Sequence, residues 1–208
     1  MKIVLTGAPG TGKTTLAKAL VKKFNQNKYR RPNMKIAITG ADKTGVTSLG
    51  SWVSGKRFTL LQEAATLALI AGFKLDHKVD VETELWIATK QLEMERMAGD
   101  NFVADRSFVD IHAYVNYYFH EDRALINLIG RIADKAMNSY DIVIHCPAGQ
   151  FPIENNGVRV TSAAYQWKID RRIKGTLALH HKEYHTVKGT LKERMAQVEE
   201  IIRKAGAI

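Results

Sequence analysis

The sequence has little with which to staple, anchor or export itself. Among its 208 residues there is one cysteine, Cys146, which excludes a disulfide framework. At the end of an apolar run, that thiol is expected to be buried and structural rather than nucleophilic. No apolar run approaches the roughly 20 residues needed to span a bilayer. The amino terminus carries one lysine and a very short apolar run that enters a Gly-rich turn directly, unlike a secretory signal, so a cytoplasmic protein with no membrane partner is expected. The zinc-helix pattern H-E-x-x-H is missing, since the clustered histidines read His181-Lys182-Glu183-Tyr184-His185 and no cysteine partners them. No N-K-x-D segment occurs, which argues against a guanine-specific switch.

Acidic residues are also missing, but only locally. Positions 1–41 hold nine of the 31 lysines and arginines and none of the 21 acids, so most of the net charge of +10 is amino-terminal. Lys18 and Lys22 share a helix face, and Lys28-Tyr29-Arg30-Arg31 sets an aromatic ring in a basic loop. That combination suits a nucleic-acid backbone and base stacking, or else forms a solvated face. A helix from Lys13 to Phe24 would be roughly 18 Å long, so its basic end lies well away from its amino end.

What the chain does have is a phosphate-cradling loop. Gly7-Ala8-Pro9-Gly10-Thr11-Gly12-Lys13-Thr14 matches G-x-x-x-x-G-K-[ST], between the apolar run Ile3-Val4-Leu5 and an amphipathic helical stretch. The glycines allow backbone N–H groups to converge on phosphate oxygens, Lys13 reaches the β- and γ-phosphates, and the Thr14 hydroxyl ligates Mg²⁺ with Thr15 beside it. The positive end of the following helix adds to the same anion site. ATP and Mg²⁺ are the expected cofactors.

With 45% hydrophobic and 25% charged residues, the chain can bury a sizeable core. Apolar runs alternate with helical patterns and no low-complexity linker intervenes, so residues 1–208 are expected to form one α/β domain with a parallel sheet flanked by helices. Strands are expected near Lys2–Thr6, Lys35–Thr39, Phe58–Leu61, Phe102–Ala104, Ile142–His145 and Tyr184–Val187. Helical stripes run through Glu82–Met97, through Leu125, Leu128, Ile129, Ile132 and Ala136, and through Leu191, Met195, Val198, Ile202 and Ala205. One internal echo is visible. The segment from Met34 to Leu49 repeats Met1 to Leu16 with Val46 in the place of Lys13, so a second triphosphate site is not expected, although its Gly40–Gly50 turn can line the acceptor side of a crevice.

Several residues can carry chemistry beside the loop. Asp105, ending the run Phe102-Val103-Ala104, can hold Mg²⁺ or accept a proton from an attacking hydroxyl, with Arg106 on the transferring phosphate. Alternatively Asp105 caps the next helix, a role for which Ser107 is another candidate. Hydrolytic P-loop ATPases place Glu after that aspartate, and Arg106 stands there instead, which favours transfer to a bound acceptor. Glu63 can contact the acceptor or a metal-bound water, or stabilise a helix start. The turn Phe151–Arg159 precedes a helix with Lys168, Arg171 and Arg172 on one side and Ile169, Ile173 and Leu177 on another, the build of a lid whose arginines clamp a γ-phosphate or of a plain surface stripe. Trp52, Trp86 and Trp167 are packing or base-stacking residues.

Together these segments resemble a group of small P-loop kinases described as an AAA domain, related to ribosylnicotinamide kinases and thymidylate-kinase-like enzymes. The likeness rests on Gly7–Thr14, Glu63-Ala64-Ala65, Asp105-Arg106-Ser107 followed by Asp110, the Pro152–Arg159 turn, and Tyr184–Gly189. It implies a three-layer P-loop NTPase fold with a helical lid near residues 148–175. It also implies ATP·Mg²⁺ on Lys13 and Thr14, Asp105 in catalysis, Arg159 with Arg171 or Arg172 acting from the lid, and Val187 and Lys188 near the adenine. The resemblance implies a nucleotide-type acceptor. Phage members of the group act on 5-hydroxymethyluracil in DNA, which would suit the basic amino-terminal region. A free nucleoside or nucleoside monophosphate is the alternative acceptor, and a DNA-stimulated ATPase or a regulatory nucleotide-binding module the competing function. The Met34–Gly50 segment departs from the group's pattern.

Overall fold

Two four-residue apolar runs, Phe102–Asp105 (β4) and Ile142–His145 (β5), are buried along their whole length. Strands buried on both faces belong inside a parallel sheet covered by helices on either side, and the computed structural model places them there. It describes residues 3–8, 10–26, 36–38, 59–75, 79–100, 102–149 and 162–204. The other described strands are Ile3–Thr6 (β1), Ile36–Ile38 (β2), Thr59–Leu61 (β3) and His185–Thr186 (β6). All pairings are parallel: β3 lies on one edge of β4, β1 between β4 and β5, and β6 on the outer edge of β5.

The alternation along each strand assigns the two cores. Val103, Ile142 and Ile144 point to one face, where Lys13–Gln26 (α1) and Leu191–Lys204 (α7) pack through Leu16, Leu20, Val198 and Ile202. Phe102, Ala104 and Val143 point to the other, against Phe108–Tyr118 (α4), Arg123–Asn138 (α5) and Ala163–Leu179 (α6). The α5 stripe of Leu125, Ile129, Ala133 and Met137 is buried, and each large apolar side chain contributes about 1.5–3 kcal/mol. Two further helices, Ala64–Ile70 (α2) and Val81–Ala98 (α3), lie beside β3 and α4. Asp80 caps α3 by accepting from Thr83 N at 2.8 Å, and Asp122 caps α5 by accepting from Leu125 N at 2.9 Å. No described helix is long and apolar enough to cross a membrane.

The internal echo has a structural counterpart. Ile3 pairs with Val103 and with Ile142, and Ile36 pairs with the same two residues. With β3 and β6 on the outer edges, one strand position remains between β4 and β5. β1 fills that position, and the crevice at its carboxyl end is the topological switch point where α/β sheets bind ligands.

Candidate active site

β1 delivers the phosphate loop to that switch point. Gly7 lies so close to Cys146 that a Cβ would overlap the Cys146 carbonyl. Gly10 and Gly12 adopt φ of 73° and 72°, left-handed values that cost glycine nothing. α1 starts at Lys13, whose fully buried Nζ donates to Ala8 O at 2.5 Å and to the Thr11 hydroxyl. Burial pulls the lysine down to about 7, with the Arg106 charge acting in the same direction against Cys146, Asp110 and Asp105. An anion in the loop would restore the charge that burial opposes. Thr14 is buried and Thr15 half-buried beside it; Pro9 lies outside the described residues. From α7, Arg194 reaches the loop and donates to Thr11 O at 2.6 Å.

The turn from β4 to α4 supplies the second part. Ser107 is the helix cap: its hydroxyl accepts from Val109 N at 3.2 Å, and Asp110 closes a capping box by accepting from Ser107 N at 3.2 Å. Asp105 is therefore relieved of capping. It is buried, its Oδ1 has no hydrogen-bond partner among the described residues, and it meets the Thr14 side chain. Burial and the nearby Glu63 charge push it up to about 7 against Thr14, Arg106 and Lys13. Arg106 sits at φ 75°, a strained conformation for a non-glycine residue that recurs at functional sites. Its Nε lies 2.9 Å from Glu63 Oε1, both side chains being buried. Burial opposes the guanidinium charge, but Glu63, Tyr114 and Asp110 outweigh it and hold Arg106 firmly protonated.

The donor chemistry of this corner fits Mg²⁺, a hard cation that takes few protein oxygens and keeps water and phosphate ligands. Thr14 and Asp105 would hold it, and the orphaned Asp105 Oδ1 is the observation that supports them. Among the described residues no three His, Cys, Asp or Glu side chains cluster into a metal cage.

Arg106 also lines an adjoining cleft of about 610 Å³ of empty space, its open mouth included. Ala64, Ala65, Leu75 and Ile87 make its apolar wall, and Tyr114, Tyr118 and Tyr165 its aromatic one. Tyr118 and Tyr165 share a 2.6 Å hydroxyl contact, and Arg106 stacks over the Tyr114 ring at 5.0 Å. Two polar side chains of α3, Glu84 and Gln91, face the same space. Sequence reading missed them, because a lone Glu and Gln on a helix carry no signal until the fold shows which face is buried.

The remaining expected residues are distributed around this centre. Val187, buried, donates its N–H to His145 O at 3.0 Å, and Lys188 N donates to Gln197 Oε1 at 3.2 Å, which sets both beyond the end of β5. Arg171 and Arg172 are exposed and line a second opening with Lys168, Trp167, Tyr117 and His120, which adjoins the cleft through Tyr118. Arg159, the turn 151–159, Trp52 and the basic loop 28–31 lie outside the described residues. Trp86 packs on Phe73 with centroids 5.1 Å apart, whereas Trp167 is 55% exposed. A buried pair missed from sequence ties α6 to the site: His145 Nε2 and Ala148 N lie 2.9 and 3.1 Å from Asp170 Oδ1. Burial raises Asp170, but His145 and Lys174 outweigh it and hold it down at about 2.

Solved structures share this architecture. Thymidylate kinase from Ehrlichia chaffeensis superposes with a TM-score of 0.58 at 13% identity, covering 97% of this chain and 98% of that one. Deoxyadenosine kinase from M. mycoides with bound dATP gives 0.55 at 14% identity, covering 98% and 99%. The same enzyme with dCMP and dCDP gives 0.52 at 17% identity over 100% of both chains. At these identities the likeness establishes the fold. A search of the curated proteins by sequence returns no match. The AAA domain family model matches residues 35–194, which takes in the second strand copy, Glu63, Asp105 and the cleft but begins after the Gly7–Thr14 loop. A match over most of the sequence places the chain in the AAA domain family, on the P-loop fold it shares with thymidylate and deoxyadenosine kinases.

Proposed function

We propose that the protein is an ATP-dependent kinase that transfers the γ-phosphoryl group to a hydroxyl of a nucleoside-type acceptor held in the tyrosine-lined cleft. The observation that carries this reading is the buried Arg106–Glu63 pair, which stands where the phosphate loop and the cleft meet. ATP would lie along Gly7 to Thr14, with Lys13 on the β- and γ-phosphates. Mg²⁺ on Thr14 and Asp105 would offset phosphate charge. Glu63 accepts the proton of the entering hydroxyl, and Arg106 neutralises the transferring phosphoryl. An apolar, aromatic wall suits a nucleobase and excludes the water that would turn transfer into hydrolysis. Arg159, Arg171 and Arg172 act from the lid on the phosphates, and Val187 and Lys188 flank the adenine.

For the acceptor, the proposal extends to 5-hydroxymethyluracil in DNA. The supporting feature is the open face of Trp167, Lys168, Arg171, Arg172, Tyr117 and His120, which joins the cleft at Tyr118 and combines stacking rings with phosphate-binding cations. The test offers labelled γ-phosphate ATP with nucleosides, nucleoside monophosphates, plain DNA and hydroxymethyluracil DNA. Label on the modified DNA is the expected result. Label on free nucleosides or monophosphates alone returns the acceptor to the small-molecule class. ATP turnover stimulated by DNA without label on any acceptor would replace the kinase by an ATPase.

A further inference from the structure

Glu84 projects from α3 into the cleft, is 4% exposed, and its carboxyl makes no hydrogen bond to any described residue. A carboxyl in that position needs an explanation, because burying one without a partner is costly. Neutralising Arg106 does not supply it, since Arg106 already pairs with Glu63 at 2.9 Å. Nor is Glu84 a helix cap, the role that Asp80 fills. We propose that Glu84 is a specificity-determining residue, its carboxyl pairing with the donor–acceptor edge of a nucleobase seated in the cleft.

The groups facing it favour this role. The β4–α4 turn contributes Arg106; α4 contributes Asp110, Tyr114 and Tyr118; α6 contributes Tyr165; α2 contributes alanines only. Burial raises the Glu84 carboxyl to about 8, against the single opposing pull of Arg106. Near neutral pH it therefore keeps its proton and presents one O–H donor beside one carbonyl acceptor. A base edge with a ring nitrogen or carbonyl next to an N–H matches that pair. An edge of two adjacent donors would require the ionised form. Gln91, two turns along the same helix, spends its Nε2 on Glu95 Oε1 at 2.8 Å. Its carbonyl oxygen remains for an acceptor contact, so on α3 the donor must come from Glu84.

The inference rests on the cleft being the acceptor site, and the experiment separates the two. Transfer kinetics with a panel of nucleosides and modified DNA, together with calorimetric titration of the same panel without transfer, are compared for the wild type, Glu84→Gln and Glu84→Ala. The glutamine keeps a donor and an acceptor but does not titrate. It is expected to hold acceptor KM within a few-fold, while alanine raises it on the order of 10- to 100-fold and flattens the preference among bases, with ATP KM unchanged. The ratio of wild type to Glu84→Gln isolates Glu84 from Lys13 and Asp105, which titrate in both. In kcat/KM for the acceptor that ratio should be flat below pH 7.5 and fall about tenfold per unit above pH 8. Unchanged acceptor affinity and base preference in Glu84→Ala would overturn the inference while leaving the kinase reading intact. Absence of both transfer and nucleobase binding in the wild type would overturn both.

Discussion

At the scale of single residues, the site divides labour between groups whose charge is opposed by burial and groups whose charge is held by partners. Lys13 and Asp105 belong to the first kind, both drawn to about 7, and Arg106 with Glu63 to the second. Asp105→Asn removes the anionic oxygen opposite Thr14 but keeps its size. Turnover should fall on the order of 100-fold while ATP affinity, read by calorimetry, stays within a few-fold. Glu63→Gln should likewise spare ATP binding and lower kcat, since the proton of the acceptor hydroxyl loses its destination. Equal losses of ATP affinity in either variant would move that residue from the reaction to the nucleotide site. Much of this was legible beforehand. Gly7 to Thr14 is a backbone requirement written in glycines, and Asp105 and Glu63 end apolar runs. Asp105 could not be told from a cap until Ser107 and Asp110 were seen to close the capping box themselves. Glu84, Gln91 and Arg194 were illegible because their roles depend on tertiary neighbours rather than on spacing.

At the scale of elements, β1 is the strand that matters most to the site, because it delivers the phosphate loop. Ile3–Thr6 and Ile36–Ile38 address the same partners on β4 and β5, yet only the first leads into a loop with the phosphate lysine, the second having Val46 at that position. The echo between the two segments was evident in sequence, but its place in the sheet was not, because a repeat does not say how its copies pair. Val4→Pro should abolish transfer by removing a ladder hydrogen bond from the strand that leads into the phosphate loop. The initial transfer rate of the folded variant checks this, and a rate equal to that of the wild type would separate β1 from the working site. The helices were the more readable elements. The stripes on α3, α5 and α7 arrived within a few residues of their expected ends, since amphipathic periodicity and the Asp80 and Asp122 caps act locally.

At the scale of the molecule, two buried cores pack on either side of the sheet that carries the switch point. Ile129, fully buried in the α5 stripe, tests that packing: Ile129→Ala should cost about 2–5 kcal/mol in urea denaturation without changing acceptor preference. The exposed face of Lys168, Arg171 and Arg172 tests reach beyond the cleft. Replacing all three with alanine should weaken single-stranded DNA binding and lower the steepness of its salt dependence by about two, at ~0.7 per phosphate contact; an unchanged slope would remove that face from DNA binding. The central claim is that one site, assembled from the Gly7–Thr14 loop and the Arg106–Glu63 corner, performs phosphoryl transfer. Its most direct measurement is the initial rate of γ-phosphate transfer by Lys13→Ala at saturating ATP and acceptor, beside the wild type. A fall on the order of 10²- to 10³-fold is expected, and a rate equal to that of the wild type would contradict the assignment of the reaction to this loop.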